Sequence, residues 1–188
     1  MRVPVELRRS YRLLNHGPVV LVTSAAGGRT NVMPAAWVMP IDFEPPLVAA
    51  VIAEGTATRA LVDASGELAL SIPPASMLDA LYEAGQVHGR EVDKWTRFGF
   101  HAAPASRVGA PLVEGCLGWL ECRVVDRSLA ERMDLLVCET VAAWADDEVF
   151  RDGEWRFTEP DRRSVHHVAA GRFFVTGEAR VAGAKRSR

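Results

Sequence analysis

Pro18-Val19-Val20-Leu21-Val22-Thr23-Ser24-Ala25-Ala26-Gly27-Gly28-Arg29-Thr30-Asn31-Val32-Met33-Pro34-Ala35-Ala36-Trp37 reads as two strands joined by a glycine reversal. Gly17-Pro18 ends a short N-terminal helix expected around Glu6–Asn15, and Val19–Ser24 follows as a buried strand. Ala25-Ala26-Gly27-Gly28 supplies residues that tolerate positive φ, which a tight hairpin demands. The second strand, Thr30–Ile41, contains Pro34 and Pro40. Proline donates nothing to a ladder, so this strand must bulge or lie at an edge there. A strand that leaves its ladder exposes backbone groups that need another partner.

Outward from this hairpin the pattern stays mostly β. Leu47–Ile52 is an unbroken apolar run, expected to be buried on both faces. A helix is expected over Ala57–Ala64 with Thr56 or Thr58 in the N-cap region, then a strand over Glu67–Ile72 that stops at Pro73-Pro74. Ser76–Ala84 reads as a second helix, with Ser76 as N-cap and Asp79 in a capping-box position. Gly85–Arg97 reads as a polar loop anchored by Trp95. In Trp119–Val125, Leu120, Cys122 and Val124 share one face while Glu121 and Arg123 share the other, as in a half-buried strand. Leu135–Ala145 is its long partner, Asp152-Gly153 marks a turn, and Arg172–Thr176 is the last strand. With 23 valines, and with helices inserted between strands instead of alternating with them, the chain is expected to be α+β and mainly β, an antiparallel closed barrel. Its 188 residues, with no repeat and no linker, are expected to form one domain.

Composition removes several classes of function. Twenty-two Lys and Arg against 24 Asp and Glu leave a formal charge of −2, which provides no electrostatic footprint for a nucleic-acid backbone. No apolar run approaches the ~20 residues of a membrane helix, and the run Val19–Val22 is too short for a secretory core, so neither membrane nor export is expected. Cys116, Cys122 and Cys138 cannot all pair and have no CxxC spacing, in keeping with a reduced, cytoplasmic setting. His166-His167 point to opposite faces of an extended segment and suit one packed and one solvated ring better than a metal. Cys122 reads as a structural thiol and the basic tail, 177–188, as a solvated terminus. The G-x-S-x-G elbow, the P-loop and G-x-G-x-x-G are all missing.

Three segments remain that carry chemistry. In Gly28–Trp37 a bulged strand brings together the Asn31 amide, backbone around Met33, Pro34, Ala35 and Ala36, and the Trp37 indole. Thr56-Ala57-Thr58-Arg59 sets two hydroxyls and a guanidinium at a helix start, an anion cradle or simply a cap. Gly89-Arg90-Glu91-Val92-Asp93-Lys94-Trp95 is a loop with cations. Lys94 is one of two lysines against 20 arginines, which suggests a site wanting a compact point charge. Together the segments suit a phosphorylated, flat aromatic ligand.

These stretches, with Pro45-Pro46-Leu47, Ala110-Pro111-Leu112-Val113 and Leu120-Glu121-Cys122-Arg123-Val124-Val125, resemble the flavin reductase-like, FMN-binding split-barrel family from about Gly17 to Phe174. That family includes flavoredoxins and ferric or flavin reductases. The resemblance implies a six-stranded Greek-key barrel with a core over about residues 17–176, a homodimer, and FMN near the interface. It implies that Asn31 and Trp37 contact the flavin, that backbone at Met33–Ala36 binds its ring, and that Thr58 binds phosphate. Lys94 would neutralise an anionic part of the cofactor, Arg59 would assist in place of a basic residue replaced here by Thr56, and Arg90 belongs to the same loop. Phe174 or Phe173 would pack on the ring. The implied activity is electron transfer from NADH or NADPH to flavin, and onward to free flavin, iron or a protein. A flavoredoxin-like carrier without direct NAD(P)H use is the alternative. No catalytic side chain is required, since the chemistry belongs to flavin N5. His88 stands where the family often has Ser, no His is found near Met133, and Ala170-Gly171 replaces Gly-Gly.

Overall fold

The computed structural model describes residues 2–13 and 17–182; Asn15, at the end of the expected first helix, and the tail beyond residue 182 lie outside the described residues. The strands are β1 (Arg2–Pro4), β2 (Val20–Ala26), β3 (Arg29–Ala35), β4 (Val38–Phe43), β5 (Pro46–Val51), β6 (Glu67–Ile72), β7 (Ala102–Ala103), β8 (Leu112–Val113), β9 (Gly118–Asp126), β10 (Leu135–Asp146), β11 (Phe150–Arg151), β12 (Glu154–Trp155), β13 (Val165–Ala169) and β14 (Arg172–Val175). The α-helices are α1 (Ala57–Ser65), α2 (Leu78–Gly85), α3 (Lys94–Phe98) and α4 (Ala130–Met133). A 3-10 helix over Leu7–Leu13 stands where the N-terminal helix was expected. No helix among the described residues is long and apolar enough to cross a membrane.

β2 and β3 meet across a two-residue turn in which Gly27 and Gly28 both have positive φ, so the twist of the turn matches that of the strands. The main sheet runs β3-β2-β6-β9-β10-β5-β4, every neighbouring pair antiparallel, with β1 added along β10. β3 and β4 lie at opposite ends of this order, yet only Ala36 and Trp37 separate them in the chain. The three Cα–Cα steps from Ala35 to Val38 span at most ~11 Å, so the sheet must curl until its edges meet. The barrel is therefore split where the chain passes from β3 to β4. The expected single strand Thr30–Ile41 is two strands, and among the described residues the main sheet, counting β1, has eight strands. Pro34 and Pro40 both sit on these end strands, and β4 bulges between Pro40 and Asp42.

Alternation along the strands feeds two cores. Val20, Val22, Leu68, Leu70, Leu120, Cys122, Leu136 and Cys138 belong to one. Leu21, Ala69 and Trp119, on the opposite faces, belong to the other with Leu81 and Ala84 of α2 and Leu112 and Val113 of β8. β2, β6 and β9 are thus covered on both sides. Val48, Ala49 and Ala50 are buried in succession, as the apolar run in β5 suggested. Glu121 departs from the expected solvent face: the segment around Ser106 folds over it and it is fully enclosed. All three cysteines are free and buried, and burial pushes each thiol up, Cys138 to about 12.

Candidate functional site

The outer edge of β3 faces the segment that runs from α2 to α3, and two clefts lie along it. At the Arg29–Asn31 end a cleft of about 530 Å³ is lined by Arg29, Asn31, Gly89, Arg90, Lys94 and Trp95, among others. Asn31 is only 5% exposed, and its Nδ2 donates to Thr58 Oγ1 at 2.7 Å. Thr58 is fully enclosed. The expected N-cap alternatives separate here. Thr56 caps α1 by accepting from the Arg59 amide at 3.1 Å, which frees Thr58 to brace Asn31.

Lys94 opens α3, which forms where a loop was expected. Asp93 caps that helix by accepting from the Trp95 amide at 3.1 Å and from Thr96 Oγ1 at 2.6 Å. Lys94 is 4% exposed, and its Nζ donates to the Ala84 carbonyl at 2.6 Å, near the C-terminus of α2, where the helix dipole favours a cation. Burial pulls its pKa below that of a free lysine. The buried Trp95 Nε1 has no hydrogen-bond partner. Arg29, Arg90 and Lys94 stand here against the carboxylates of Glu91 and Asp93, and Asp93 is taken up in capping α3, so this end of the groove keeps an excess of cationic donors that suits an anionic or acceptor-rich group.

At the Pro34–Ala36 end a smaller, mostly apolar cleft of about 190 Å³ is lined by Pro34, Ala35, Ala36, Tyr82, His167 and Phe173, among others. Phe173 stands edge-on to Tyr82 and to His167, with ring centroids 6.4 and 5.1 Å apart. Its neighbour Phe174 points to the other face of the β13–β14 hairpin and is 69% exposed. His166 is half-buried with Nε2 3.2 Å from Thr176 Oγ1, and burial lowers its pKa, while His167 is exposed.

The structure thus gathers Asn31, Arg90 and Lys94 into one cleft and Pro34, Ala35 and Ala36 into the other. Met33 turns partly into the barrel core. Trp37, at the split, is 75% exposed and lines neither cleft. Arg59 is held away from the groove: its Nε donates to both oxygens of Asp63 at 3.0 Å and its Nη1 to the Ile52 carbonyl at 3.1 Å. Tyr82 escaped sequence reasoning, and Gly89 was read there only as part of the cationic loop, with no role of its own. Tyr82 is an ordinary helical aromatic until the β13–β14 hairpin is placed beside it, and only a three-dimensional contact marks Gly89.

The pattern of the flavin reductase like domain matches residues 12–159. The chain belongs to that family. The uncharacterized protein YddH of Escherichia coli strain K12 is 41% identical to it over 185 residues, 96% of this chain and 98% of that protein. The crystal structure of an FMN-binding domain of a flavin reductases-like enzyme from Shewanella baltica OS155 superposes with a TM-score of 0.93, at 35% identity and 97% coverage of both chains. Flavoredoxin of Desulfovibrio vulgaris (Miyazaki F), 23% identical over 90% of this chain and 91% of its own, shares the fold with a TM-score of 0.78. Within this flavin reductase-like barrel, no group of three or more His, Cys, Asp or Glu among the described residues is arranged to hold a metal ion.

Proposed function

We propose that this flavin reductase-like protein binds FMN in the groove along β3 and uses it to move electrons from NADH or NADPH to a second flavin, iron or a protein acceptor. The observation that carries this reading is the polarity of the groove, donor-rich at Arg29–Asn31 and apolar at Pro34–Ala36 on the edge of a single strand. A ligand anionic at one end and flat at the other matches that gradient, and FMN is such a molecule. Arg90 and Lys94, with Asn31 braced by Thr58 near the start of α1, would hold its polar end. Pro34–Ala36 and Phe173 would receive the ring, where an end strand presents backbone groups that β2 does not use. Bound FMN supplies the hydride and electron chemistry at its N5 position. The chain's own part is to orient the ring, to exclude water with Tyr82 and Phe173, and to offset negative charge with Lys94.

A homodimer belongs to the same reading. Met39, Ile41 and Phe43 on β4, an end strand, and Trp37 just before it are all exposed. Four large apolar side chains on one edge form a patch that a second copy would cover. Phe174 and Val175, also exposed, add to the apolar surface.

The test is reconstitution with FMN followed by anaerobic addition of NADH or NADPH. Rapid bleaching of the visible flavin band by either nucleotide is the expected result. Bound FMN that stays oxidised with both nucleotides points instead to a flavoredoxin-like carrier, and failure to retain FMN at all refutes the cofactor assignment.

A further inference from the structure

We infer that Gly89 is a positioning residue that sets the Asn31 amide, and through it the width of the donor-rich cleft; its consequence for FMN rests on the reading above. Gly89 has no positive φ, so its backbone does not call for glycine. The constraint is steric. A Cβ at position 89 would lie 2.8 Å from Asn31 Cγ and 3.0 Å from Nδ2, and closer still to Oδ1. Real Cβ atoms do not approach other heavy atoms so closely, so one of the two groups must move.

Neither can move freely. Asn31 is buried on β3 and its amide is fastened to Thr58 Oγ1 at 2.7 Å. Swinging the amide aside would leave the enclosed Thr58 hydroxyl and the amide itself without their partners, a penalty far above that of shifting a surface side chain. Gly89 in turn lies in a tight turn, with the Glu91 and Val92 amides donating to the His88 carbonyl at 3.1 and 3.2 Å. The turn leads directly into Asp93 and Lys94 at the start of α3. Bare backbone at 89 therefore lets the 88–92 turn close onto β3, and Asn31 is the stop against which it closes. Three elements that are distant in sequence (β3, α1 and the turn before α3) are held together by one amide and one missing methyl group.

The experiment is a double-mutant cycle of Gly89→Ala and Asn31→Ala, read by FMN titration and, independently, by the Tm of the apo protein. Gly89→Ala alone should weaken FMN about 5- to 30-fold, the loss that accompanies one displaced hydrogen-bonding group, and should lower the apo Tm. In the Asn31→Ala background the obstacle is gone, so the added methyl should change FMN affinity by less than about twofold and leave the Tm in place. Equal effects of Gly89→Ala in both backgrounds would overturn the inference. Should Gly89→Ala fail to fold, a folded double variant supports the steric stop, and an unfolded double variant overturns it. If the wild type binds no FMN, the cofactor reading fails, while the Tm cycle still decides the contact between Gly89 and Asn31.

Discussion

Replacing Lys94 with methionine separates a ligand-binding charge from a structural strut. Methionine fills nearly the same volume, so no cavity follows. In the apo protein the ammonium makes a 2.6 Å hydrogen bond to the Ala84 carbonyl while 4% exposed. A hydrogen bond from a charged donor contributes about 1.5–3 kcal/mol, but removing that charge from water costs a comparable amount, so the apo stability should change by no more than about 1 kcal/mol. In the proposed FMN complex an anion meets the ammonium in a sheltered cleft. Losing that charge-assisted contact should weaken FMN about 10- to 150-fold. Lys94 also leaves a signature in pH. Its folded pKa lies below the unfolded one because of burial, so the folded state gives up the proton first. The penalty for burying the charge is fully present below the folded pKa and is relieved as pH rises towards the unfolded value of about 10.4. Wild-type apo protein should therefore gain stability across that alkaline window relative to Lys94→Met. FMN titrations and urea melts from neutral to alkaline pH give all three quantities. A variant that loses several kcal/mol of stability yet binds FMN as the wild type does would make Lys94 a strut and refute this reasoning.

Three further outcomes follow from the same structure. Thr58→Ala removes the brace beneath Asn31 and should lower apo stability by about 1–2 kcal/mol and weaken FMN about fivefold, both measurable in one titration and melt series; an unchanged FMN affinity would separate Thr58 from the site. Ile41→Asp places a charge in the exposed β4 stripe and should leave the apo fold within about 0.5 kcal/mol of wild type while converting dimers to monomers, as light scattering reports; a wild type that is already monomeric contradicts the interface. For Glu121, burial alone would raise the carboxyl, but donors from the Ser106 amide, the Trp144 indole, the Arg107 amide and the Ser106 hydroxyl outweigh it and hold the pKa below the usual carboxylate range. Its contribution is then full above the unfolded value of about 4.3 and is lost as pH falls through the lower folded value. Glu121→Ala should cost about 2–4 kcal/mol near neutrality, or roughly 2–4 °C in Tm for each kcal/mol, with the gap to wild type closing in acid; a gap independent of pH would refute the carboxylate's role.

How much of this could be read from sequence depended on the range of the interaction. The β2–β3 hairpin was legible because Gly27-Gly28 and the valine run are local signals, and β3 and β4 do lie at the sheet ends, as Pro34 and Pro40 require. The break at Ala36–Trp37 was not legible, because it comes from closing a barrel through strands far apart in the chain. α3 was missed because its five residues follow a charged, glycine-containing stretch, although Asp93 and Thr96 carry its cap. Glu121 alternates like a surface residue, and only the segment around Ser106, which covers it, reveals otherwise. At the site, the rarity of Lys94 drew attention to it, but its burial against Ala84 depends on how α2 and α3 pack. The choice between Phe173 and Phe174 rested on which face of the last hairpin meets α2, and Phe173 is the one beside Tyr82.

The central claim is that FMN occupies the groove between β3 and the segment linking α2 to α3. Amide hydrogen exchange of the apo protein, with and without saturating FMN, tests it most directly, because exchange reports both the place and the strength of ordering. Slower exchange on adding FMN should concentrate in residues 29–37 and 85–95. Slower exchange instead around Arg2, Ser106 and Trp144, where another cleft lies, or no change in either region, would contradict it.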